Sequence, residues 1–433
     1  MKHWAKYCLL IMLLPVLTAC DTFWNNRLEL KSVDQPVMET LIQEQDWVLV
    51  DVRDSDWYNG WPSGKDPEGG HIPGARNFDL AWMAADPGHV QNLLTSKGIS
   101  PENNIVVYGR DKQDAQVVAQ WLVAEQGFKE ERIRVFEKGF SFWLTQGGKP
   151  DKLPGYERLV TPEWLDKQLK VNSDLMVLDV SWGKGARYVV QHIPGALHVD
   201  TGSIESEPLW NIKESERLES VLLRLGITKE TPIVVYGDDM TAAARVLFVL
   251  QYAGVKDVRL LNGGLDAWTD SGFPVERGIN SARPVRQFGG RIPAEPDILV
   301  DTEAVERILE NEKEYLVSIR TWREYIGAIS GYQYIPTAGR IPGALWGRAG
   351  SETYRMEDYL NPDNTLREFR DLEGYWQPYG IEKQDSITFY CGTGWRASLA
   401  WFAASLMSYD HVAVYDGGWM EWSSDASRPV DAG

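Results

Sequence analysis

One pattern of residues occurs three times along this chain of 433 residues, and the repetition restricts the fold more than any other feature of the sequence. Each copy has an apolar strand, a turn that ends in Ile-Pro-Gly-Ala, a second apolar strand, a helical pattern and a glycine–aromatic corner. The turns begin at His71, His192 and Arg340. Copies spaced by roughly 120 to 150 residues are the size of domains. The chain is therefore expected to contain three tandem domains rather than a solenoid of short repeats.

Short apolar strands alternate with helical segments in every copy. The second strand reads IVVYG, IVVYG and ITFYC in the three copies, and a helical pattern follows each one. This alternation predicts an α/β fold in which each domain has a central, mainly parallel sheet flanked by helices. We place the domains at residues 28–148, 158–276 and 297–430, joined by segments that contain the Gly and Pro typical of linkers.

The first twenty residues have the composition of an export signal. Lys2 and Lys6 precede an apolar run that is too short to span a bilayer comfortably. The sequence LTAC at residues 17–20 resembles the lipobox of bacterial lipoproteins, which implies cleavage before Cys20 and a lipid anchor on its thiol. Asp21 resembles the signal that keeps such lipoproteins at the inner membrane. We expect a periplasmic protein anchored at the inner membrane; an ordinary signal peptide is the alternative.

The net charge limits the classes of partner. A formal charge of -18 argues against nucleic acid and against an anionic membrane surface, since both favour Lys and Arg. Membrane contact is therefore expected only through the N-terminal anchor. A small anionic substrate remains compatible with this charge, because a local group of backbone N–H donors and one Arg can outweigh a distant, screened field.

The cysteines are few and unevenly placed. Cys8 and Cys20 lie in the export signal, and Cys391 is the remaining one. Since an oxidising compartment favours paired cysteines, a lone thiol is either buried filler or a reactive group. The matching strand ends of the other copies carry Gly109 and Gly237, which indicates an open loop at this position rather than a core.

Cys391 begins the hexapeptide CGTGWR between a strand and a helix. Two glycines allow positive φ, so that successive backbone N–H groups can point toward one site. The helix N-terminus and an arginine add positive charge. These features favour the thiolate and predict a nucleophile in a loop that also holds an oxyanion. The candidate site is Cys391 with the substrate-binding residues Gly392, Thr393, Gly394, Trp395 and Arg396.

The order of these motifs resembles the rhodanese family of sulfurtransferases, and in particular the three-domain exported thiosulfate sulfurtransferases of Gram-negative bacteria. The similarity covers the chain from about Leu30 onward. It implies that Cys391 takes the outer sulfur of thiosulfate, becomes a persulfide and passes the sulfur to cyanide or a thiol. It also implies that the loop amides stabilise the persulfide and that Arg396 binds the anionic donor. Neither a metal nor a cofactor is expected apart from the covalent persulfide.

Three alternatives stay open. Phosphatase-type loops are one residue longer between Cys and Arg, so the four residues between Cys391 and Arg396 disfavour a phosphatase or arsenate reductase. The 3-mercaptopyruvate enzymes have similar CG-x-G loops but usually continue with Val-Thr, so Trp395 and Arg396 favour thiosulfate. A non-enzymatic persulfide carrier with negligible turnover is the third alternative.

Other residues of the third copy are candidates for the pocket. Arg320 follows the first strand of this copy, and Trp346 and Arg348 lie in a segment, residues 345–365, that only this copy has in this form. These three residues are the candidate pocket residues outside the loop.

The two copies without the cysteine are expected to be inactive. Their loops carry Asp111 in the first copy and Asp238 and Asp239 in the second, and these carboxylates would repel an anionic donor. His71 and His192 are expected to be structural, because the copy that has the cysteine carries an arginine at that place.

Overall fold

A computed structural model of the protein describes residues 28–44, 46–64, 66–311 and 313–433. The predicted export signal and lipid anchor, including Cys20, lie outside the described residues and stay predictions. In the part that is described, no helix combines the length and the apolar character needed to cross a membrane. This part divides into two compact units, the first with residues 28–54, 72–83 and 94–150 and the second with residues 55–71, 84–93 and 151–433.

The first unit contains one five-stranded parallel sheet. Its strands are β1 (Lys31–Val33), β2 (Trp47–Asp51), β3 (Arg76–Asn77), β4 (Asn104–Tyr108) and β5 (Ile133–Phe136). They lie in the order β1-β5-β4-β2-β3, with every neighbouring pair parallel.

The second unit contains two more five-stranded parallel sheets and a short antiparallel hairpin. The strands of one sheet are β6 (Leu159–Val160), β7 (Met176–Ser181), β8 (Leu197–Asp200), β11 (Ile233–Gly237) and β12 (Val258–Leu261). The hairpin consists of β9 (Glu205–Ser206) and β10 (Asn211–Ile212). The strands of the other sheet are β13 (Leu299–Val300), β14 (Glu314–Ser318), β15 (Leu345–Trp346), β16 (Ser386–Tyr390) and β17 (His411–Tyr415). The orders β6-β12-β11-β7-β8 and β13-β17-β16-β14-β15 repeat the order of the first sheet.

The helices follow the strands as the alternating pattern predicts. The α-helices are α1 (Gln35–Leu41), α2 (Ser55–Asn59), α3 (Pro87–Ser96), α4 (Lys112–Glu125), α5 (Gly139–Thr145), α6 (Pro162–Val171), α7 (Ala186–Val190), α8 (Ser215–Leu225), α9 (Met240–Ala253), α10 (Gly264–Asp270), α11 (Thr302–Ile308), α12 (Trp322–Tyr325), α13 (Phe369–Trp376), α14 (Trp395–Leu406) and α15 (Gly418–Ser424). Short 3-10 helices lie at Leu80–Ala84, Glu130–Arg132, Tyr156–Arg158, Thr201–Ser203, Pro296–Ile298 and Gln377–Tyr379.

Apolar central strands account for this architecture. All five residues of β11 are buried, and so are four of the five residues of β16. Strands that are apolar on both faces need helices on both sides of the sheet, which is the arrangement of parallel α/β proteins. The predicted fold class is confirmed, with one parallel sheet in each of the three predicted domains. The exact domain boundaries stay predictions.

The second and third domains share a hydrophobic core within the second unit. Helix α9 of the second domain packs against α14 of the third, and the ring centroids of Phe248 and Trp401 are 4.8 Å apart. Both rings are buried, and burying two such side chains contributes several kcal/mol. This contact places the start of α9 beside the strand-to-helix loop of the third domain.

The histidines of the turns are buried and packed. His192 stacks on Tyr188 with the ring centroids 4.1 Å apart, and its Nδ1 lies 2.7 Å from the carbonyl oxygen of Tyr188. His71 stacks in the same way on Tyr58, at 3.7 Å. These contacts give both histidines a packing role.

Candidate active site

The cysteine loop, residues 391–396, joins the central strand β16 to helix α14. Cys391 directly follows β16, and the helix begins at Trp395. Gly394 precedes the helix with a φ of 100°, a conformation that favours glycine. Its N–H donates to Sγ of Cys391 over 3.3 Å. The thiol therefore lies at the N-terminal end of α14, where the helix dipole favours negative charge.

The glycine–aromatic corner, residues 417–420, holds the other side of the loop. The N–H groups of Trp419 and Met420 donate to the carbonyl oxygens of Cys391 and Gly392 at 2.8 and 3.0 Å. In a trans peptide unit the N–H and the C=O point in opposite directions. Each of these two carbonyl groups shares its peptide unit with the N–H group of the next residue, which therefore points away from the corner. These two N–H groups make no hydrogen bond with the corner.

Arg396 belongs to a buried ion pair beside the loop. Its Nη1 and Nη2 donate to the two carboxylate oxygens of Glu324 at 3.0 and 2.9 Å, and Nη2 also donates to the Tyr332 hydroxyl. Burial opposes ionisation of Glu324, but the pair with Arg396 outweighs it and holds the pKa of Glu324 below its ordinary value. The arginine that was expected to attract the donor is thus held in an ion pair with a carboxylate, which Arg320 also approaches to 3.6 Å.

Tyr332 covers the loop at Gly392. A Cβ added to Gly392 would lie 2.4 Å from the tyrosine ring, so only glycine fits there. Burial raises the pKa of Tyr332 above its ordinary value, although Arg396 opposes the shift. The phenol is therefore neutral. Because its oxygen accepts a hydrogen bond from Arg396, its own proton is free to be donated to a ligand.

Tyr334 lies beside Tyr332 at the loop. Its ring centroid is 5.3 Å from that of Tyr332. Burial raises the pKa of Tyr334 to about 12, opposed by a hydrogen bond with Thr393. Two neutral phenols therefore lie next to Gly392 and Thr393, the two residues that follow the thiol in the loop.

A cavity of about 680 Å³ opens at the loop and includes Cys391 in its lining. Residues of both the second and the third domain form its walls. Aromatic side chains make up much of this lining: Trp182, Trp210, Tyr332, Tyr334, Tyr354 and Trp395. The indoles of Trp182 and Trp210 meet edge to face with their centroids 5.0 Å apart. Trp210 has a φ of 61°, which is strained for a bulky residue and is found most often where a site requires it.

The charged groups of the cavity are mainly acidic. Its carboxylates are Glu205, Glu207 and Asp239, all from the second domain. Among the described residues that line it, Arg396 is the one cationic side chain, and it is paired with Glu324. A volume of this size with an aromatic and acidic wall is suited to an organic ligand.

The loop residues predicted from the sequence come together, whereas the other candidates do not. Cys391, Thr393, Trp395 and Arg396 line the cavity, and Gly392 and Gly394 shape the loop between them. Arg320, Trp346 and Arg348 are not among the residues that line it.

The packing of those three residues explains their position. Arg320 is fully buried and donates to the carbonyl oxygens of Gly339 and Ser330 at 2.6 and 3.0 Å. Trp346 donates from Nε1 to the Arg320 carbonyl oxygen at 2.9 Å. The Arg348 guanidinium lies 5.0 Å from the Trp346 ring centroid. These side chains support the framework of the third domain.

Several residues of the site were not found by sequence reasoning. Tyr332 and Tyr334 lie in the segment GYQYIP, residues 331–336, directly before the third turn. The sequence signal that could have identified these two tyrosines is this tyrosine-rich segment, which stands before the turn in the third copy only. Nothing in the sequence indicated that Glu205 and Trp210 of the second domain would line the same cavity, because that depends on how two domains pack.

In the two copies without cysteine, a carboxylate caps the helix that follows the loop. Asp111 accepts hydrogen bonds from the N–H groups of Gln113 and Asp114 at 2.8 and 3.2 Å. Asp239 accepts from the N–H group of Thr241 at 2.8 Å. These N–H groups are the ones that an anionic ligand would use. The prediction that both loops do not bind thiosulfate therefore has a geometric reason.

Comparison with known proteins identifies the repeated domain. The family described as Rhodanese-like domain matches residues 34–146, 161–271 and 301–425. The chain is 38% identical to thiosulfate sulfurtransferase YnjE of Escherichia coli K12, over all of this chain and 98% of that protein. It is 30% identical to sulfur carrier protein TtuD of Thermus thermophilus, over 64% of this chain and 97% of that protein.

Solved structures of similar sequence have the same fold. One is the anaerobic ergothioneine biosynthesis enzyme from Chlorobium limicola in complex with its natural substrate trimethyl histidine, with 37% identity and a TM-score of 0.86 over 93% of this chain and 99% of that one. Another is a complex of EanB in which ergothioneine is covalently linked with a persulfide cysteine, with 36% identity and a TM-score of 0.87 over 94% and 99% of the two chains.

The family matches, the relative from Escherichia coli and the solved structures extend over all three copies of the sequence pattern and agree with the family that the motifs resemble. They include a protein named as a thiosulfate sulfurtransferase and a structure with a cysteine persulfide. The chain therefore belongs to the rhodanese family and is an enzyme of the sulfurtransferase type, built from three rhodanese-like domains.

Proposed function

We propose that the protein transfers a sulfane sulfur through a persulfide on Cys391, with thiosulfate as donor and cyanide or a thiol as acceptor. The observation that carries the proposal is the position of Cys391. Its Sγ accepts the Gly394 N–H at the N-terminus of α14, and the residue lines a cavity large enough for both substrates in turn.

The proposed reaction has two displacement steps at sulfur. The Cys391 thiolate attacks the outer sulfur of thiosulfate, the S–S bond of the donor breaks, and sulfite leaves with the electron pair. The acceptor then attacks the terminal sulfur of the persulfide, and Cys391 leaves as the thiolate. The loop amides and the helix N-terminus stabilise the anionic sulfur in both steps.

Thiosulfate as donor is supported by the relative from Escherichia coli, which has that activity in its name and aligns with the whole chain. Because Arg396 is paired with Glu324, we propose that the sulfonate end of the donor is held by backbone N–H groups rather than by a free guanidinium. 3-Mercaptopyruvate as donor and a carrier role without turnover are tested by the same assays.

A second candidate function is sulfur transfer to an imidazole betaine such as trimethyl histidine. The aromatic and acidic wall of the cavity supports it, since aromatic faces and carboxylates attract a quaternary ammonium group. The EanB variants in the solved complexes replace a tyrosine 59 residues before the persulfide cysteine and a threonine two residues after it. Tyr332 and Thr393 stand at the same spacings from Cys391.

This second reaction is balanced without an oxidant. The terminal sulfur of the persulfide forms a bond to an imidazole carbon, its bond to Cys391 breaks, and the hydrogen leaves that carbon as a proton. The product is a thione, and Cys391 is regenerated. The Tyr332 phenol can donate a hydrogen bond to the imidazole in this sequence of steps.

The test uses purified full-length protein with three donors: thiosulfate, 3-mercaptopyruvate and inorganic polysulfide. Mass spectrometry of the Cys391 peptide is expected to show the addition of one sulfur atom after donor treatment. Sulfite release from thiosulfate is expected to continue over many turnovers when cyanide is present, and Cys391→Ser abolishes it. A wild-type enzyme whose Cys391 takes sulfur from none of the donors would disprove the proposal.

The part of the experiment in which the acceptor is varied separates the two candidate functions. Wild-type protein is incubated with donor and with either cyanide or trimethyl histidine, and thiocyanate or ergothioneine is measured by chromatography. Turnover with cyanide alone supports the first candidate. Ergothioneine formation that depends on Cys391 supports the second, and a single turnover with every acceptor indicates the carrier.

A further inference from the structure

A buried ion cluster from the second domain contacts the cysteine loop of the third. Arg245 of α9 is fully buried, and its guanidinium donates to the carboxylates of Glu205 and Asp416. The distance from Nε to Oε2 of Glu205 is 3.2 Å. Glu205 belongs to the β9–β10 hairpin of the second domain, and Asp416 follows β17 in the third. The cluster therefore connects the two domains.

Two members of the cluster, Glu205 and Arg245, each contact a residue that shapes the loop. Nε1 of Trp395 donates to Oε1 of Glu205 at 2.7 Å. A Cβ added to Gly394 would lie 2.8 Å from Nη1 of Arg245, so the guanidinium occupies the space where a side chain of this residue would stand. Gly394 is the residue whose N–H donates to the Cys391 sulfur.

Asp416 connects the cluster to the other side of the loop. It directly precedes the glycine–aromatic corner, whose N–H groups hold the carbonyl oxygens of Cys391 and Gly392. Its second carboxylate oxygen accepts the N–H of Ile212, in the hairpin of the second domain, at 2.8 Å. The second domain thus holds the loop at Gly394 and Trp395 and holds the corner through Asp416.

The cluster is a costly way to join two domains. Buried ion pairs contribute little net stability compared with apolar residues of the same volume, because burial removes the hydration of each charge. In this cluster three charges lose their hydration. In addition, Nη1 of Arg245 has no hydrogen-bond partner among the described atoms, although it is completely buried. A charged cluster with an unsatisfied donor next to the loop is better explained by positioning than by stability.

We propose that Arg245, oriented by Glu205, is a positioning residue for sulfur transfer, through which the cysteine-free second domain keeps the Gly394 N–H directed at the Cys391 sulfur. The inference rests on the proposed role of Cys391 as sulfur carrier. Arg245 acts through the loop and not on the substrate. The second domain is then a functional part of the active site even though it has no nucleophile.

The geometry predicts a pH dependence for this arrangement. Glu205 is faced by Arg245 from α9, by Trp395 from α14 and by Asp416 after β17. Burial raises the pKa of Glu205 to about 7, opposed by Arg245 and Trp395. When Glu205 takes up a proton, Arg245 loses the charge of one of its two partners. The rate of sulfur transfer is therefore expected to fall as pH falls through about 7, and Glu205→Gln removes that part of the profile.

The experiment compares Arg245→Met, Arg245→Lys and Glu205→Gln with the control Arg158→Met in the full chain. Arg158 also bridges the second and third domains, donating to Gln251 and Ser405 at 3.0 and 3.2 Å, but it does not contact the loop. We expect Arg245→Met to lower kcat for sulfite release about 10- to 100-fold with KM changed less than about threefold, as for a displacement of roughly 1 Å. Arg245→Lys is expected to recover part of kcat, and Arg158→Met to keep kcat within about twofold.

A second readout does not depend on turnover. The rate at which iodoacetamide alkylates Cys391 is followed by mass spectrometry of its peptide, and Arg245→Met is expected to change it at least about threefold. If Arg245→Met is folded and leaves both kcat and the alkylation rate within about twofold, the positioning role is wrong. If wild-type Cys391 takes sulfur from no donor, the proposed function fails, while the alkylation rates still decide whether Arg245 positions the thiol.

Discussion

The Tyr332 hydroxyl accepts a hydrogen bond from Arg396, and its own proton can be donated to a ligand in the cavity that Tyr332 lines. We expect Tyr332→Phe to lower kcat about 10- to 100-fold, because the donor to the reacting group is lost. Unfolding free energy should fall by about 1 to 2 kcal/mol, since Arg396 loses one acceptor. Steady-state kinetics and chemical denaturation measure the two effects.

Tyr415→Phe is the matched control for this substitution. Tyr415 is also buried in the third domain, and its hydroxyl is hydrogen-bonded to Thr302 at 2.8 Å. A similar loss of stability with unchanged kcat is expected there. An equal loss of kcat in both variants would contradict a specific role for the Tyr332 proton.

Glu205 is expected to make stability depend on pH. Burial raises the pKa of Glu205 to about 7, above its ordinary value near 4.5. Between these values the folded state keeps a proton that the unfolded chain has released, so the stabilisation is present below about 4.5 and is lost as pH rises through about 7. Wild type should therefore lose about 1 to 3 kcal/mol of unfolding free energy relative to Glu205→Gln between pH 5 and pH 8.

Denaturant unfolding at several pH values tests this shift. Glu207→Gln is the control, because Glu207 lies two residues away but is exposed. For this variant the difference from wild type should stay constant over the same range. A constant difference for Glu205→Gln as well would show that the carboxylate is ionised throughout.

At the scale of the element, the loop depends on the corner that follows β17. A Cβ on Gly418 would lie 2.7 Å from the Gly392 carbonyl oxygen, and its φ is 53°. Gly418→Ala must therefore displace the loop, and we expect a loss of about 2 to 4 kcal/mol of unfolding free energy and at least about tenfold in kcat.

Gly380→Ala is the control, since Gly380 has a φ of 75° but nothing lies within 4 Å of its Cβ position. It should cost only about 1 kcal/mol and leave kcat unchanged, and equal kcat in both variants would contradict the role of the corner.

The elements were predictable because each depends on local sequence. The IVVYG strands are apolar on both faces, and the residues after them have helical periodicity, so the sequence alone predicts strand, loop and helix in this order. The position of Cys391 between β16 and α14 follows from the same pattern. Tyr332 was not predicted from the sequence, because it lies in an irregular segment whose path depends on tertiary contacts and not on periodicity.

At the scale of the whole molecule, the walls of the cavity depend on contacts between distant parts of the chain. Glu205 and Trp395 are 190 residues apart, yet they share a hydrogen bond of 2.7 Å. Nothing local in the sequence distinguishes Glu205 from a surface glutamate, since its burial results from the packing of α9 on α14. Within the third domain, a contact between residues 72 positions apart likewise places Arg396 in a buried ion pair with Glu324 instead of leaving it free to bind the donor.

The acidic character of the cavity leads to a prediction about substrate charge. Glu207 is an exposed carboxylate in the wall, so Glu207→Gln is expected to lower KM for thiosulfate about two- to threefold, as for unit charges roughly 8 Å apart in water. For a cationic acceptor the same substitution should raise KM by a similar factor. Both effects should shrink in 0.5 M NaCl, where exposed charges are screened over about 4 Å. Glu216→Gln, which changes the net charge equally but lies outside this cavity, should leave both KM values unchanged. Equal changes in the two variants would mean that overall charge, and not the wall of the cavity, governs the approach of the substrates.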